Sequence, residues 1–300
     1  MPMTDDKIID ISETVVGLSV RLANLVIDLH NGEKIRIPLS EVAALIVSNP
    51  HVTMTNAVLA GVAGGGGIVV VSDAKFQPAG MMLPLDSHFA QGERFRAQAE
   101  VAEPVKKRLW QQIVRSKIKA QSVTLKNLHD DDFGLNALVS QVRSGDVGNV
   151  EARAAQRYWP RLFADEAFRR RYDADDQNRL LNYGYAVLRA LTARAICGSG
   201  LHPSFGLHHH NRYDPFCLAS DLMEPFRPIV DRAVARIVDV HGPMVELMKD
   251  TKREIIADVM RPIDLNGESR TIFSVLARLS SSLFRIFLGQ ERRLLLPEWG

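Results

Sequence analysis

The spacing of hydrophobic positions changes once along the 300-residue chain. In the first part they fall in short Val/Ile/Leu-rich runs: "KIIDIS" (7–12), "GLSVRLANLVIDL" (17–29), "KIRIPL" (34–39), "VAALIVS" (42–48) and "GGIVVVS" (66–72). Runs of this length, broken by Asn31-Gly32, Asn49-Pro50 and the glycines 64–67, predict strands. "HNGEK" predicts a hairpin, because Asn-Gly accepts the positive φ of a tight turn. "TNAVLAGVAG" (55–64) predicts a short helix. The four glycines after it lack a following Lys-Ser/Thr, so they predict a tight helix-to-strand connection and not a phosphate-cradling loop.

Around "MMLPLD" (81–86) the texture changes, and from Phe89 apolar residues recur at helical spacing. Leu109, Ile113, Val114 and Ile118 form one set, and Leu135, Leu138 and Val142 a second. Leu180, Leu181, Tyr185, Leu188 and Leu191 form a third, and Val230, Ala233, Val234 and Ile237 a fourth. The fold class expected is α+β. A small β-rich N-terminal domain (1–85) precedes a larger, all-helical C-terminal domain (86–300).

Composition narrows this picture. Hydrophobic residues make up 46% of the chain and charged residues 24%, as in soluble globular proteins. The apolar runs fall short of the roughly 18 residues that a membrane span needs. The N-terminus "MPMTDDKIID" has no basic stretch followed by an apolar one, so no signal peptide is expected. Two cysteines, Cys197 and Cys217, exclude a disulfide framework and fit reduced thiols in the cytoplasm.

The net charge of +2 hides an asymmetry: residues 1–92 hold 5 Lys/Arg against 9 Asp/Glu, while residues 93–128 hold 9 against 3. The basic stretch contains Lys106, Lys107, Arg108, Arg115 and Lys117. It suits either a polyanion partner or a solvated helix face.

The chemistry-bearing stretch is "GLHHHNRYDPFCLASDLMEPFRP" (206–228), where three histidines precede Asp221 and Glu224. On a helix these two acids, three apart, share a face, with Ser220 as a candidate N-cap and Pro225 and Pro228 as sources of a kink. The bland reading is a polar loop before a solvated helix. The sharp one is a metal site, because imidazole and carboxylate are ligands that divalent cations select. Adjacent histidines diverge, so at most one or two of them could bind an ion. One histidine and one or two acids suit Mg²⁺ or Mn²⁺ better than structural zinc. Glu151, in "GNVEARAAQRYWPRLF" with Arg153 and Arg157, is a candidate further acid, and equally an ordinary first-turn acid favoured by the helix dipole.

The chain resembles the CRISPR-associated spacer-acquisition integrases, most closely the variant that accompanies single-protein RNA-guided nucleases (type II systems). The resemblance is carried by "RLWQQIVRSKI" (108–118), "GNVEARAAQRYW" (148–159), the long block from Asp176 to Asp231 and, more loosely, the β-rich start. It implies a metal-dependent DNA endonuclease/integrase in which Glu151, His209 and Glu224 hold Mg²⁺ or Mn²⁺, with Asp221 as a supporting acid or further ligand. His209 is singled out by its place three residues after Gly206, and Arg153 departs from the uncharged residue common at its position. The resemblance also implies attack of a prespacer 3′-hydroxyl on a phosphodiester at the border of a CRISPR repeat. Lys106, Lys107, Arg108, Arg115, Lys117, Arg153, Arg157 and Arg212 would hold duplex backbone. Implied partners are double-stranded DNA, a second copy of the chain as a homodimer through the β-rich part, a small ferredoxin-like dimeric acquisition protein and the RNA-guided effector nuclease. No membrane is involved. Two other readings stay open at this level: a stand-alone metal-dependent nuclease on branched or single-stranded DNA, and a non-catalytic DNA-binding scaffold.

Overall fold

In the computed structural model, which describes residues 6–11, 14–73, 78–84 and 87–300, the strand-rich segment forms two four-stranded sheets. One runs in the order β1 (Lys7–Ile11), β5 (Val42–Val47), β7 (Ile68–Ser72) and β8 (Pro78–Met82). Its first three strands are parallel and β8 is antiparallel. The other runs β4 (Lys34–Pro38), β3 (Asn24–Leu29), β2 (Val15–Arg21) and β6 (Thr53–Met54). All six residues of β5 are buried, because both faces of this strand are covered. Val42, Leu45 and Val47 join the core of the β-rich part, whereas Ala44 and Ile46 join the core of the helical part.

The expected strand "GLSVRLANLVIDL" is two strands. A tight turn at Leu22 and Ala23, both at positive φ (49° and 57°), folds β2 onto β3. Neither residue signals such a turn, which normally calls for Gly, Asn or Asp. The Asn31-Gly32 hairpin between β3 and β4 forms as expected, with Gly32 at φ 85° and the Glu33 amide donating to Asn31 Oδ1. The short helix is α1 (Asn56–Gly64), and the glycines connect it directly to β7.

The remainder is mainly helical: α2 (Gln91–Ala99), α3 (Glu103–His129), α4 (Asn136–Val139), α5 (Val150–Leu162) and α6 (Asn178–Gly198). After these come α7 (Cys217–Met223), α8 (Arg227–His241), α9 (Lys249–Val259) and α10 (Ile272–Phe287). It is not all-helical, because β9 (Ile263–Leu265) and β10 (Glu268–Arg270) make a hairpin before α10. Leu135, Leu138 and Val142 are buried as their spacing predicts, yet only a single turn, α4, forms there. The other three apolar sets are the buried faces of α3, α6 and α8. At the α6–α8 crossing a Cβ on Gly184 would lie 2.3 Å from Val230 Cγ1, so only glycine permits this approach. The texture change at 81–86 coincides with the passage from sheet to helix, although residues 85–86 lie outside the described residues.

Candidate active site

Three elements converge here: α3, the first turn of α5, and the loop and helix that follow Gly206. At the start of α5, Asp146 accepts hydrogen bonds from the Val150 and Glu151 amides (3.0 and 2.9 Å), which fixes the turn that carries Glu151. Glu224 opens a 3₁₀ turn, Glu224–Phe226, that continues α7 into α8 with Pro225 and Pro228 tolerated at helix starts. Ser220 lies inside α7 and is not its N-cap, since its amide donates to Phe216 O as a helical residue's does.

Glu151 and Glu224 meet at one cation, the Lys117 ammonium, which stands 2.6 Å from Glu151 Oε1 and 2.6 Å from Glu224 Oε2. Glu224 is almost wholly buried and also faces the Arg227 guanidinium at 2.9 Å. Glu224 Oε2 is ion-paired to Lys117 but outside the geometry of a hydrogen bond, so a buried anionic oxygen is left without a directed donor. Burial by itself would raise the Glu224 pKa; the Arg227 and Lys117 charges outweigh it and hold this carboxyl below its ordinary range. Burial likewise opposes the Lys117 charge, and Glu224 and Glu151 together raise its pKa nonetheless.

The histidine loop is organised by Asp221, which is fully buried. Its Oδ2 accepts from the Leu207 and His208 amides (2.6 and 3.0 Å). Its Oδ1 accepts from the His209 amide (3.3 Å) and lies 2.5 Å from His209 Nδ1. An ionised carboxylate can only accept, so Nδ1 carries the proton and the Nε2 lone pair is left available. That hydrogen bond raises the His209 pKa against the opposing effect of burial. With both oxygens engaged by the loop, Asp221 is the group that orients His209. Gly206 is required, because a Cβ there would lie 2.3 Å from His209 O. His208 stacks flat on Trp110 of α3, with centroids 4.2 Å apart and planes at 3°, while His210 is exposed.

Among the described residues no three His, Cys, Asp or Glu side chains stand close enough to chelate an ion as placed. The donor chemistry still fits a divalent cation: two carboxylates already share a cation, one buried oxygen is held by an ion pair alone, and an oriented imidazole lies within electrostatic reach of Glu224.

The expected DNA contacts divide. Lys107, Arg108, Arg115, Arg153, Arg157 and Arg212 are exposed. Arg115 donates to Val142 O (2.8 Å) and Arg153 to Gln141 Oε1 (3.1 Å), while Lys107 lies over Gly145, so these three gather around one segment between α3 and α5. Arg212 lies over the Tyr213 ring within the histidine loop. Lys106 is half-buried and pairs with Glu103 (3.0 Å). Lys117 is not on this surface at all; it belongs to the acid site. Arg227, the Asp146 cap and Trp110 have no counterpart in the sequence expectations. The sequence did carry a signal for Lys117: it follows Ile113 by four and Val114 by three, on the apolar face of α3.

Solved structures share this fold. A casposase bound to integration product matches 96% of this chain and 92% of its own, with a TM-score of 0.77 at 19% identity. A chain of a Cas6-RT-Cas1–Cas2 complex matches 98% of this chain and 36% of its own, with a TM-score of 0.78 at 19% identity. The class is therefore the α+β fold of the casposase, with an acid–histidine cluster in its helical part. Sequence makes the assignment particular. Residues 11–242 match the family described as CRISPR associated protein Cas1. The CRISPR-associated endonuclease Cas1 of Neisseria meningitidis serogroup C (strain 8013) is 35% identical over 94% of this chain and 92% of its own length. The chain belongs to the Cas1 family.

Proposed function

We propose that this chain joins the 3′-hydroxyl of prespacer DNA to a phosphodiester at a CRISPR repeat border, as a metal-dependent integrase with Mg²⁺ or Mn²⁺ held by Glu151, His209 and Glu224. The observation that carries this reading is the meeting of Glu151 and Glu224, from separate elements, at one cationic position beside an imidazole whose Nδ1 is fixed by Asp221. When bound, such an ion supplies Lewis acidity to the phosphoryl oxygens and favours the ionised form of an attacking hydroxyl.

The chain's own groups do the rest. Asp221 and the Trp110–His208 stack hold the loop so that His209 presents Nε2. Exposed Lys107, Arg108, Arg115, Arg153, Arg157 and Arg212 grip phosphates without reading sequence. Arg227, which pairs with Glu224, also lines a hollow with Arg170, Arg189, Tyr172 and Tyr185, which would add positive charge for DNA phosphate. In the exchange, the prespacer 3′-hydroxyl gives up its proton and its oxygen bonds to the phosphorus at the repeat border, as the flanking strand's 3′-oxygen leaves and is protonated, so the number of phosphodiesters is conserved. The similarity to a casposase bound to integration product, and to a chain from a complex that includes Cas2, supports DNA and a small Cas2-type dimer as partners.

The test is incubation of the protein with labelled prespacer duplex, a supercoiled repeat plasmid and the small partner, in Mn²⁺ or in chelator. Integration predicts label covalently joined to the plasmid in Mn²⁺ alone. Plasmid nicking without joining would instead favour the stand-alone nuclease.

A further inference from the structure

The position between Glu151 and Glu224 is already taken by a positive charge, and that charge belongs to the protein. Lys117 Nζ is 2.6 Å from an oxygen of each acid, and its side chain is 14% exposed. Two acids and two bases (Lys117 and Arg227) balance one another within this cluster. A divalent cation added beside an undisplaced ammonium would face direct repulsion, and Glu151 Oε1 and Glu224 Oε2 would stay turned toward Lys117. Arg227 approaches Glu224 on its other oxygen, Oε1, so it can stay where it is.

The geometry points to Lys117 as a built-in placeholder cation: it compensates Glu151 and Glu224 in the metal-free protein and must leave them for the divalent ion to enter. This rests on the metal reading above. It makes Lys117 a positioning residue for the acids, and sets the apparent metal affinity by the fraction of molecules in which the lysine has withdrawn. An aliphatic side chain of four methylenes, anchored on a helix, can swing its ammonium aside without moving α3. The displaced charge then becomes available to the DNA phosphate that brings the reacting centre to the site.

Three variants of the 300-residue chain separate this from a merely structural role. Lys117→Met removes the charge and keeps the volume, Lys117→Gln removes it with a polar end, and Lys117→Arg keeps the charge. Mn²⁺ titration followed by calorimetry should show Lys117→Met and Lys117→Gln binding about tenfold tighter than wild type or more, and Lys117→Arg no tighter. In chelator the two neutral variants should melt below wild type and gain more from Mn²⁺. Amine-reactive labelling with mass spectrometry keeps the test on the wild-type chain should the variants fold poorly. Lys117 should be protected in chelator and labelled in Mn²⁺.

Unchanged or weaker Mn²⁺ binding by the neutral variants, with Lys117 equally protected in both conditions, would overturn the placeholder role while leaving the metal site standing. Absence of Mn²⁺ binding in wild type and variants alike would overturn the metal site itself.

Discussion

Among the three adjacent histidines, His209 has its ring held by a buried carboxylate, which makes it the one expected to act under the proposed function. His209→Ala should abolish Mn²⁺-dependent strand transfer and leave folding and DNA binding nearly intact. His210→Ala, which removes an exposed ring, should do little, and His208→Ala should cost only the stack on Trp110. An active His209→Ala beside a dead His208→Ala would show that the loop presents a different histidine. Asp231 offers a pH test at the same scale. Burial pushes its carboxyl up to about 6 from 3.8, against the Tyr158 and Tyr185 hydroxyls that donate to it. Between those values the folded protein keeps a proton that the unfolded chain has released. Stability should therefore fall as pH rises through this window, with the cost complete above it. Asp231→Asn removes that dependence, and the stability difference between variant and wild type should change by up to about 3 kcal/mol across the window. Urea denaturation from pH 4 to 7 measures it; a difference independent of pH would mean that Asp231 ionises alike in both states.

At the scale of elements, α3 carries two jobs on two faces. Its outer face presents Lys107, Arg108 and Arg115, and its inner face presents Lys117 among Ile113, Val114 and Ile118. Neutralising Lys106, Lys107 and Arg108 together should flatten the log–log dependence of DNA affinity on salt, by about 0.9 for each phosphate that is no longer neutralised. Fluorescence anisotropy over a salt series reads this, and an unchanged slope would make the run a solvated helix face. The inner face is pinned from the C-terminal side: Trp299 Nε1 donates to Ser116 Oγ (3.0 Å) and its ring packs edge-on to Phe226, two residues after Glu224. Trp299→Ala should lower stability by about 2 kcal/mol and slow strand transfer, both measured on the purified variant. Unaltered transfer would mean that the neighbouring Lys117–Glu224 geometry does not depend on this packing.

Periodicity made the elements legible wherever an apolar stripe was long, as in α3, α6 and α8. It failed at Leu22–Ala23, where the turn is imposed by sheet pairing and not by turn residues, and at Leu135–Val142, where burial occurs without a long helix. The acids and the histidine were legible as residue types, but not as a group: Glu151 lies far from the histidine loop in sequence, and spacing alone cannot bring it there. Lys107 and Lys117 share a helix and a charge, so composition could not separate a surface cation from one between two acids.

For the whole molecule, the strand-rich part has more acids than bases and would repel DNA, which leaves contact with protein as its natural task. Its outer sheet exposes Leu22 at the β2–β3 turn and Ile35 on β4. A homodimer through this surface is expected, and light scattering at micromolar concentration should give twice the chain mass. Leu22→Asp with Ile35→Asp should shift it toward monomer; a monomeric wild type would contradict this arrangement.

Under the proposed function, integration by this molecule would depend above all on Glu151, His209 and Glu224 acting as one unit on one ion. The decisive measurement is the rate of label transfer from prespacer to repeat plasmid in Mn²⁺, for the three single alanine variants and the triple variant. Each single variant should be as severely impaired as the others, and the triple little worse than any of them, because groups that act together lose their function together. Comparable metal-dependent rates in wild type and any one of the three single variants would show that the three do not form such a unit.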